Sequence, residues 1–199
     1  ILGHLTYLHF FRTCSKMMIA YVREGVKEGG SRCCVSKPGS MKFSTADLWD
    51  EHSEKCKVLE PLFSDYGQRV QFYGPIRTVK LYEDNSLVRK ALEEKSDGEV
   101  LVVDGGGSNR CALLGDMLAA LGRDNGWAGI VVYGAVRDAA VLKNIEFGVK
   151  ALCANPKKSE KRQEGQRDVA VCFGGVEMAP GGFVYCDEDG VLYSPEALI

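Results

Sequence analysis

The chain has 199 residues, of which 45% are hydrophobic and 26% are charged, a composition typical of a globular protein with one domain. No apolar run reaches the roughly 20 residues of a transmembrane helix, so we expect no membrane partner. The net charge of −2 argues against direct binding of nucleic acid, because nucleic-acid-binding surfaces are basic.

The first 40 residues differ in charge from the rest. Residues 1–40 contain six basic and two acidic side chains, whereas residues 41–199 contain nineteen basic and twenty-five acidic ones. We therefore predict an N-terminal extension over 1–40 and a single domain over 41–199. The extension has three interpretations: an organelle-targeting segment, an additional packed helix, or a consequence of the chosen translation start, because Met41 opens a sequence typical of a natural N-terminus. We expect it to carry no chemistry.

Hydrophobic periodicity in the remainder predicts an α/β protein. Helices are predicted to begin at Ser44, at Ser86, at Asp116 and after Asp138. Strands are predicted over 69–81, 99–103, 129–133 and 147–153, and as several short segments between 169 and 193. The helices are concentrated before a C-terminal part that is mostly β. The predicted architecture is a layered α/β domain with a mixed sheet.

Three loops contain residues that resemble binding motifs. The glycines of 104–108 follow a predicted strand, where backbone amides can approach an anion, but the same residues also suit a flexible turn. They match neither a P-loop nor the GxGxxG pattern. Residues 155–168 are rich in lysine and glutamate and predict an exposed loop, and 187–190 predict a hairpin turn without EF-hand spacing.

The stretch from Gly115 to Asp138 is the most informative in the chain. Met117, Leu118 and Leu121 fall on one predicted helical face, and Asn125-Gly126 is predicted to end the helix. The strand that follows returns the chain, so Asp116 can lie near Arg137 and Asp138 at the carboxyl end of that strand. Two carboxylates and a guanidinium there can hold a divalent cation and an anionic substrate. The alternative is a salt-bridge cluster at two helix starts.

The histidine and cysteine patterns exclude several chemistries. All three histidines, His4, His9 and His52, lie within the first 52 residues, so most of the domain contains no histidine that could act in catalysis. The eight cysteines form no CxxC pair, which argues against a disulfide framework or a thiolate zinc site and favours a reducing compartment, the cytoplasm. Any chemistry must rest on carboxylates, arginine, lysine, backbone amides, water or a metal.

Five sequence blocks, in order, resemble the RraA-like family. They are EPLFSDYG at 60–67, FYGPIRTVK at 72–80, VDGGGSNRCALLGD at 103–116, VVYGAVRD at 131–138 and FGGVEMAPGGFVYCDEDGVLYSP at 173–195. The resemblance covers residues 44–198. The family includes 4-hydroxy-4-methyl-2-oxoglutarate aldolases and bacterial regulators of ribonuclease activity. It implies a swivelling β/β/α fold and a homotrimer, or a dimer of trimers, with sites between subunits.

The resemblance also implies a role for each site residue. Asp138 is expected to ligate Mg2+ or Mn2+, and Asp116 to hold a water of that metal. Arg137 is expected to contact the keto oxygen and carboxylate of an α-keto acid. The backbone amides of Gly115, Asp116, Met117 and Leu118 are expected to complete the anion site.

The implied activity is metal-dependent cleavage of 4-hydroxy-4-methyl-2-oxoglutarate to pyruvate, with oxaloacetate decarboxylation through the same enolate. The main alternative is a non-catalytic regulator that binds and inhibits a ribonuclease. The bacterial regulator, however, has glutamine where this chain has Asp138. A third possibility is a metabolite-binding protein without turnover. Nothing in the sequence marks Lys80, Lys143 or Lys150 as a Schiff-base lysine.

Overall fold

The computed structural model of the chain describes residues 42–199, and the predictions made for residues 1–40 lie outside that range. The helices are α1 (Thr45–His52), α2 (Ser86–Leu92), α3 (Asp116–Asp124) and α4 (Ala139–Leu142). The first six strands are β1 (Lys57–Val58), β2 (Ser64–Asp65), β3 (Phe72–Lys80), β4 (Val100–Asp104), β5 (Ala112–Leu114) and β6 (Gly129–Val136). The others are β7 (Gly148–Ala154), β8 (Gln166–Arg167), β9 (Val171–Phe173), β10 (Val176–Met178), β11 (Phe183–Cys186) and β12 (Val191–Ser194). No helix within 42–199 is long and apolar enough to cross a membrane.

The strands form a mixed sheet, as the sequence predicted. Its main path runs β1-β12-β11-β3-β4-β6-β7-β2, with β5 added beside β6 and β8 beside β3. The four central strands β3, β4, β6 and β7 are parallel to one another, and β5 is parallel to β6. The other strands of this sheet are antiparallel to their neighbours. β9 and β10 form a separate antiparallel pair. Because parallel strands end at the same edge, the loops that follow β3, β4 and β6 lie near one another.

The two faces of the sheet are covered by different layers. Side chains alternate between the faces of a strand, and in β4 Leu101 and Val103 join the core cluster that contains the buried side chains of α2 and α3. Val100 and Val102 point the other way, into a second core with Phe72 and residues of β9 to β12. All five residues of β4 are buried, which explains its continuous apolar sequence. The result is the predicted layering of helices, central sheet and a smaller β layer.

Most helix and strand boundaries agree with those predicted from the sequence, but one residue predicted on the buried face of α3 is exposed. α1 begins after Ser44, whose side chain accepts a hydrogen bond from the Asp47 amide, as a capping serine should. In α3, Leu118 is 4% exposed, but Met117 is 71% exposed. Helical period alone placed Met117 on the buried face, but at the second position of the helix its side chain is exposed to solvent.

Most residues of the loop over 155–168 are exposed, as predicted, but two of them form a strand. Its residues Gln166 and Arg167 form β8, which pairs antiparallel with the end of β3. Asp84, which is fully buried, accepts hydrogen bonds from the backbone N–H groups of Ser86, Arg162 and Glu164 at 2.8, 2.7 and 3.1 Å. Burial alone would raise the pKa of Asp84, but these hydrogen bonds lower it from 3.8 to about 2. One buried carboxylate therefore fixes the loop to the domain.

A buried lysine connects three further segments. Lys150 in β7 is 1% exposed, and its Nζ lies 2.8 Å from the carboxylate of Asp65 in β2 and donates to the carbonyl oxygen of Asp187 at 2.5 Å. The Asp187 carboxylate in turn accepts hydrogen bonds from the N–H and hydroxyl of Thr45 at the start of α1. The residues 187–190 form the predicted turn between β11 and β12, but Asp187 also ties α1 to the sheet.

We predict that Lys150→Met lowers the free energy of unfolding by about 3 kcal/mol. The substitution keeps the volume but leaves the Asp65 carboxylate and the Asp187 carbonyl without their cation, which is the costly way to break a buried pair. Urea unfolding at pH 7 measures the change. Lys95→Met is the control, because Lys95 is exposed and its loss should shift stability by less than about 0.5 kcal/mol. Equal effects of the two substitutions would contradict the assignment.

We predict that Asp84→Asn removes a pH-dependent contribution of about 2 kcal/mol to stability. The pKa of Asp84 is depressed in the folded state, so its contribution is complete above the unfolded pKa of about 4 and disappears as the pH falls towards 2. Urea unfolding between pH 7 and pH 2 should show that the wild-type protein loses stability more steeply than the variant below pH 4. Parallel profiles of the two proteins would be inconsistent with this role.

Candidate active site at the start of α3

The fold brings the two ends of the predicted site together through one strand pair. β5 runs parallel to β6 with Leu114 opposite Val136, and the Arg137 N–H donates to the Leu114 carbonyl at 2.9 Å. Gly115 and Arg137 are the next residues of these two segments. The start of α3 therefore lies against the residues that follow β6, and the structure places Gly115, Arg137 and Asp138 in one cluster.

Gly115 allows this close approach because it lacks a side chain. A Cβ atom at Gly115 would lie 2.9 Å from Asp138 Oδ2 and 3.1 Å from Arg137 Cγ. The backbone at Gly115 is extended, with φ −140° and ψ −176°, a conformation that any residue adopts. The glycine is therefore required by space, and not by backbone conformation.

Arg137 and Asp138 form an ion pair that remains partly open to solvent. Arg137 Nε donates to Asp138 Oδ2 at 3.1 Å, and the two side chains are 37% and 34% exposed. Asp138 has a left-handed backbone, φ 57° and ψ 38°, and its carbonyl accepts the N–H groups of Val141 and Leu142 in the first turn of α4. This conformation costs free energy in a residue other than glycine, and such residues are frequent at functional sites.

Two of the four backbone amides predicted to bind an anion already donate hydrogen bonds within the protein. The Met117 N–H donates to Asp116 Oδ1 at 2.7 Å, and the Leu118 N–H donates to the Gly115 carbonyl at 3.2 Å. Both already have acceptors, so an anion at the start of α3 would depend on the N–H groups of Gly115 and Asp116 and on displacement of the Asp116 carboxylate from Met117. Asp116 is the first residue of α3 and is half-buried.

The chemistry of the donors determines which metal fits. The cluster offers the carboxylate of Asp138, whereas the carboxylate of the adjacent Asp116 contacts its neighbour Met117 and neither Arg137 nor Asp138. Among residues 42–199, no group of three or more His, Cys, Asp or Glu side chains is arranged to hold a metal ion. A structural zinc site needs four protein ligands, whereas Mg2+ binds through one or two carboxylates and completes its shell with water and substrate oxygens. The donor set fits a hydrated Mg2+ or Mn2+ ion.

A pocket lies elsewhere in the domain, and the sequence did not predict it. Its volume is about 760 Å³, and it opens at the carboxyl ends of β3 and β4. It is lined by Lys80, Leu81, Tyr82, Asp104, Gly106, Tyr133, Arg162, Glu164, Gly165, Gln166 and Cys172. None of the predicted site residues lines it. The one signal in the sequence was the glycine-rich loop 104–108 after a buried strand.

Comparison with known proteins identifies the family. The model of the RraA-like family (Aldolase/RraA) matches residues 45–193. A relative from Alkalilimnicola ehrlichii, named "Putative 4-hydroxy-4-methyl-2-oxoglutarate aldolase", is 55% identical over 159 residues, which are 80% of this chain and 99% of the relative. The structure of the RNA-processing inhibitor RraA from Thermus thermophilis superposes with a TM-score of 0.76 and 49% identity, covering 78% of this chain and 94% of that one.

A second solved structure is similar to this chain to the same degree. It is named S-adenosylmethionine: 2-dimethylmenaquinone methyltransferase, from Geobacillus kaustophilus, and has a TM-score of 0.77 and 47% identity over 78% of this chain and 97% of its own. The two solved structures therefore share one fold, and the three relatives carry three different functional names. The match of the family model to most of the chain, together with these identities, shows that the chain belongs to the RraA-like family.

Proposed function

We propose that the protein is a divalent-metal-dependent aldolase that cleaves 4-hydroxy-4-methyl-2-oxoglutarate into two molecules of pyruvate. The observation that carries the proposal is the packing of the Arg137–Asp138 pair over Gly115 at the start of α3. That arrangement places a guanidinium and a carboxylate, each about one-third exposed, beside a helix N-terminus. The aldolase name of the Alkalilimnicola relative, 55% identical to this chain, supports the same assignment.

In this proposal Arg137 binds and orients the substrate. Its Nε contacts Asp138, which leaves the two terminal nitrogens of the planar guanidinium to donate to a carboxylate or keto oxygen. The start of α3 favours the negative charge of the substrate carboxylate. Together they hold the α-keto acid end of the substrate beside Asp138.

Asp138 would hold the divalent cation, with Asp116 orienting a water of its shell. When bound, such a cation acts as a Lewis acid that stabilises negative charge on the keto oxygen by several kcal/mol. Asp138 is suited to this because its left-handed backbone directs its carboxylate back towards Gly115.

We assign the proton transfer to the carboxylate of Asp116, directly or through a water. Its Oδ1 accepts the Met117 N–H, and Oδ2 is the atom that can take the proton of the 4-hydroxyl group. The C4–O bond then becomes a carbonyl, the C3–C4 bond breaks, and its electron pair remains on C3 as the enolate of pyruvate. Arg137 donates to the negative enolate oxygen, and a proton delivered to C3 completes the second pyruvate.

Oxaloacetate decarboxylation is the expected side activity of the same site. Loss of CO2 from oxaloacetate places the same electron pair on C3 and forms the same enolate. The groups that bind the α-keto acid and stabilise the enolate oxygen are therefore sufficient for both reactions. We further propose that the protein acts as a homotrimer.

A non-catalytic regulator of a ribonuclease is the second candidate. The specific observation in its favour is the likeness to the RNA-processing inhibitor from Thermus thermophilis, which is 49% identical to this chain. Inhibition by surface binding would not require the Asp138 carboxylate. The two functions therefore differ in their dependence on one side chain.

We predict that release of pyruvate from 4-hydroxy-4-methyl-2-oxoglutarate and from oxaloacetate requires both Mg2+ and Asp138. EDTA should abolish it, and Asp138→Asn should lower kcat/KM by at least about a hundredfold, because the enolate loses the group that holds its counter-charge. Asp124→Asn is the control, since Asp124 is an exposed carboxylate at the opposite end of the same helix and should leave the rate unchanged. Pyruvate is measured with a coupled reductase assay.

Other outcomes distinguish the alternatives. Activity that survives EDTA and is trapped by borohydride would assign the reaction to a lysine and overturn the metal mechanism. Absence of turnover with both substrates and all divalent metals, together with ribonuclease inhibition that Asp138→Asn retains, would establish the regulator.

We predict that Gly115→Ala abolishes most of the activity while the protein stays folded. The added methyl group would displace Asp138 and Arg137 from the start of α3, and a misplacement of about 1 Å can cost a hundredfold in rate. The extended backbone accepts alanine, so the free energy of unfolding should change by less than about 2 kcal/mol. Gly190→Ala is the control, since a Cβ atom there meets nothing within 4 Å. Unchanged kcat/KM in Gly115→Ala would exclude the site.

A further inference from the structure

We propose that the pocket at the carboxyl ends of β3 and β4 is a second small-molecule site, which takes an uncharged ring carrying two neighbouring hydroxyl groups. The pocket lies on the face of the sheet opposite α3, the face to which Val102 of β4 and Val131 of β6 also point. Its volume of about 760 Å³ is ample for a ligand the size of a sugar or a nucleoside.

Asp104 and Lys80 form the polar end of the pocket, and their charged groups lie close together without a hydrogen bond between them. Asp104 has a nearly buried side chain, and its Oδ1 accepts the Gly106 N–H at 3.0 Å. Its Oδ2 lies 3.8 Å from Lys80 Nζ, which is too long for a hydrogen bond. Two adjacent hydroxyl groups suit this gap, because one can donate to Oδ2 while the other accepts from the ammonium group.

The remaining charges of the pocket are already neutralised. The guanidinium of Arg162 contacts the Tyr82 carbonyl oxygen and the carboxylates of Glu160 and Glu164 at 2.9, 3.4 and 3.2 Å. The two cations and two carboxylates that line the pocket therefore balance. An anionic ligand would have to compete with Asp104 for Lys80, so an uncharged ligand that both donates and accepts hydrogen bonds is favoured.

Two tyrosines supply the surface for a ring. Tyr133 is held rigidly because it stacks on Phe173, with ring centroids 4.8 Å apart and an interplanar angle of 4°. Tyr82 is 52% exposed and lies between Gly106, where a Cβ atom would approach its ring to 2.9 Å, and the Arg110 guanidinium, whose Cζ lies 5.9 Å from the ring centroid. Gly106 has φ +65°, so the backbone and the neighbouring ring both favour glycine there. Tyrosine side chains beside a carboxylate and an ammonium group match the alternating apolar and hydroxylated surfaces of a sugar ring.

The pocket and the candidate active site can be tested separately. Tyr133 and Arg137 are four residues apart on the same strand and its extension, a distance of about 13 Å along the chain. No residue is shared between the pocket and the cluster of Gly115, Arg137 and Asp138. A binding test therefore needs no activity and does not depend on the proposed aldolase reaction.

Cys172 provides a direct reporter of occupancy, because it is exposed and lines the pocket. Alkylation of Cys172 by iodoacetamide is followed by peptide mass spectrometry in the full chain, with the half-buried Cys153 as internal control. The probes are adenosine, 2′-deoxyadenosine and methyl α-glucoside, which separate a ribose source of the diol from a sugar source. At ten times its dissociation constant, a ligand should slow alkylation of Cys172 about tenfold and leave Cys153 unchanged.

The diol and Lys80 are tested by paired comparisons. Lys80→Met should raise the dissociation constant about tenfold, and Lys57→Met, at another exposed strand lysine, should leave it unchanged. Protection by adenosine but about tenfold weaker protection by 2′-deoxyadenosine identifies a ribose diol, and protection by methyl α-glucoside identifies a sugar. Equal protection by the two nucleosides, an unchanged constant in Lys80→Met, or no protection by any probe would overturn the proposal.

Discussion

The pairing of β5 with β6 is the constraint on which the candidate site depends. β5 has only three residues, yet its alignment of Leu114 with Val136 determines that α3 begins beside Arg137. The register of this strand pair shifts between Ala112 and Leu114. The pairing of Leu114 with Val136 therefore does not follow from the pairing of Ala112 with Ala135. A shift of one residue would turn Leu114 out of the core and move Gly115 away from Asp138.

The rest of the fold keeps this short strand pair in place. β6 is buried along almost its whole length, and α3 packs on the sheet through Leu118 and Ala119. α3 also approaches the sheet closely at Gly122, where a Cβ atom would lie 2.9 Å from the ring of Phe147. Because interiors are packed densely, a helix docked in this way has little freedom to slide. The position of its first turn is therefore defined by contacts that are distant from the site itself.

The sequence predicted what depends on local pattern and failed where distant segments meet. The apolar run of β6 and the Asn125-Gly126 signal at the end of α3 were sufficient to place both elements. The contact of Asp84 with Arg162 spans 78 residues and has no local signature, so the sequence predicted the exposure of this loop but not its attachment to the domain. Lys150 lies within the predicted strand 147–153, but no local pattern shows that Asp65 lies beside its ammonium group, because only the tertiary structure brings the two together. The pocket was missed because its lining residues come from segments that are far apart in the sequence.

The Lys150–Asp65 and Arg137–Asp138 ion pairs differ in how much they contribute to stability, and this difference supports a chemical role for the second pair. In the Lys150–Asp65 pair the lysine is buried, although the aspartate side chain is 29% exposed, so stability explains the presence of this pair. The Arg137–Asp138 pair is about one-third exposed, and such pairs contribute at most about 1 kcal/mol. The left-handed backbone of Asp138 costs a similar amount, about 1 kcal/mol. The pair therefore adds almost nothing to stability. Its arrangement over Gly115 is better explained by what it binds, as the proposed aldolase reaction requires.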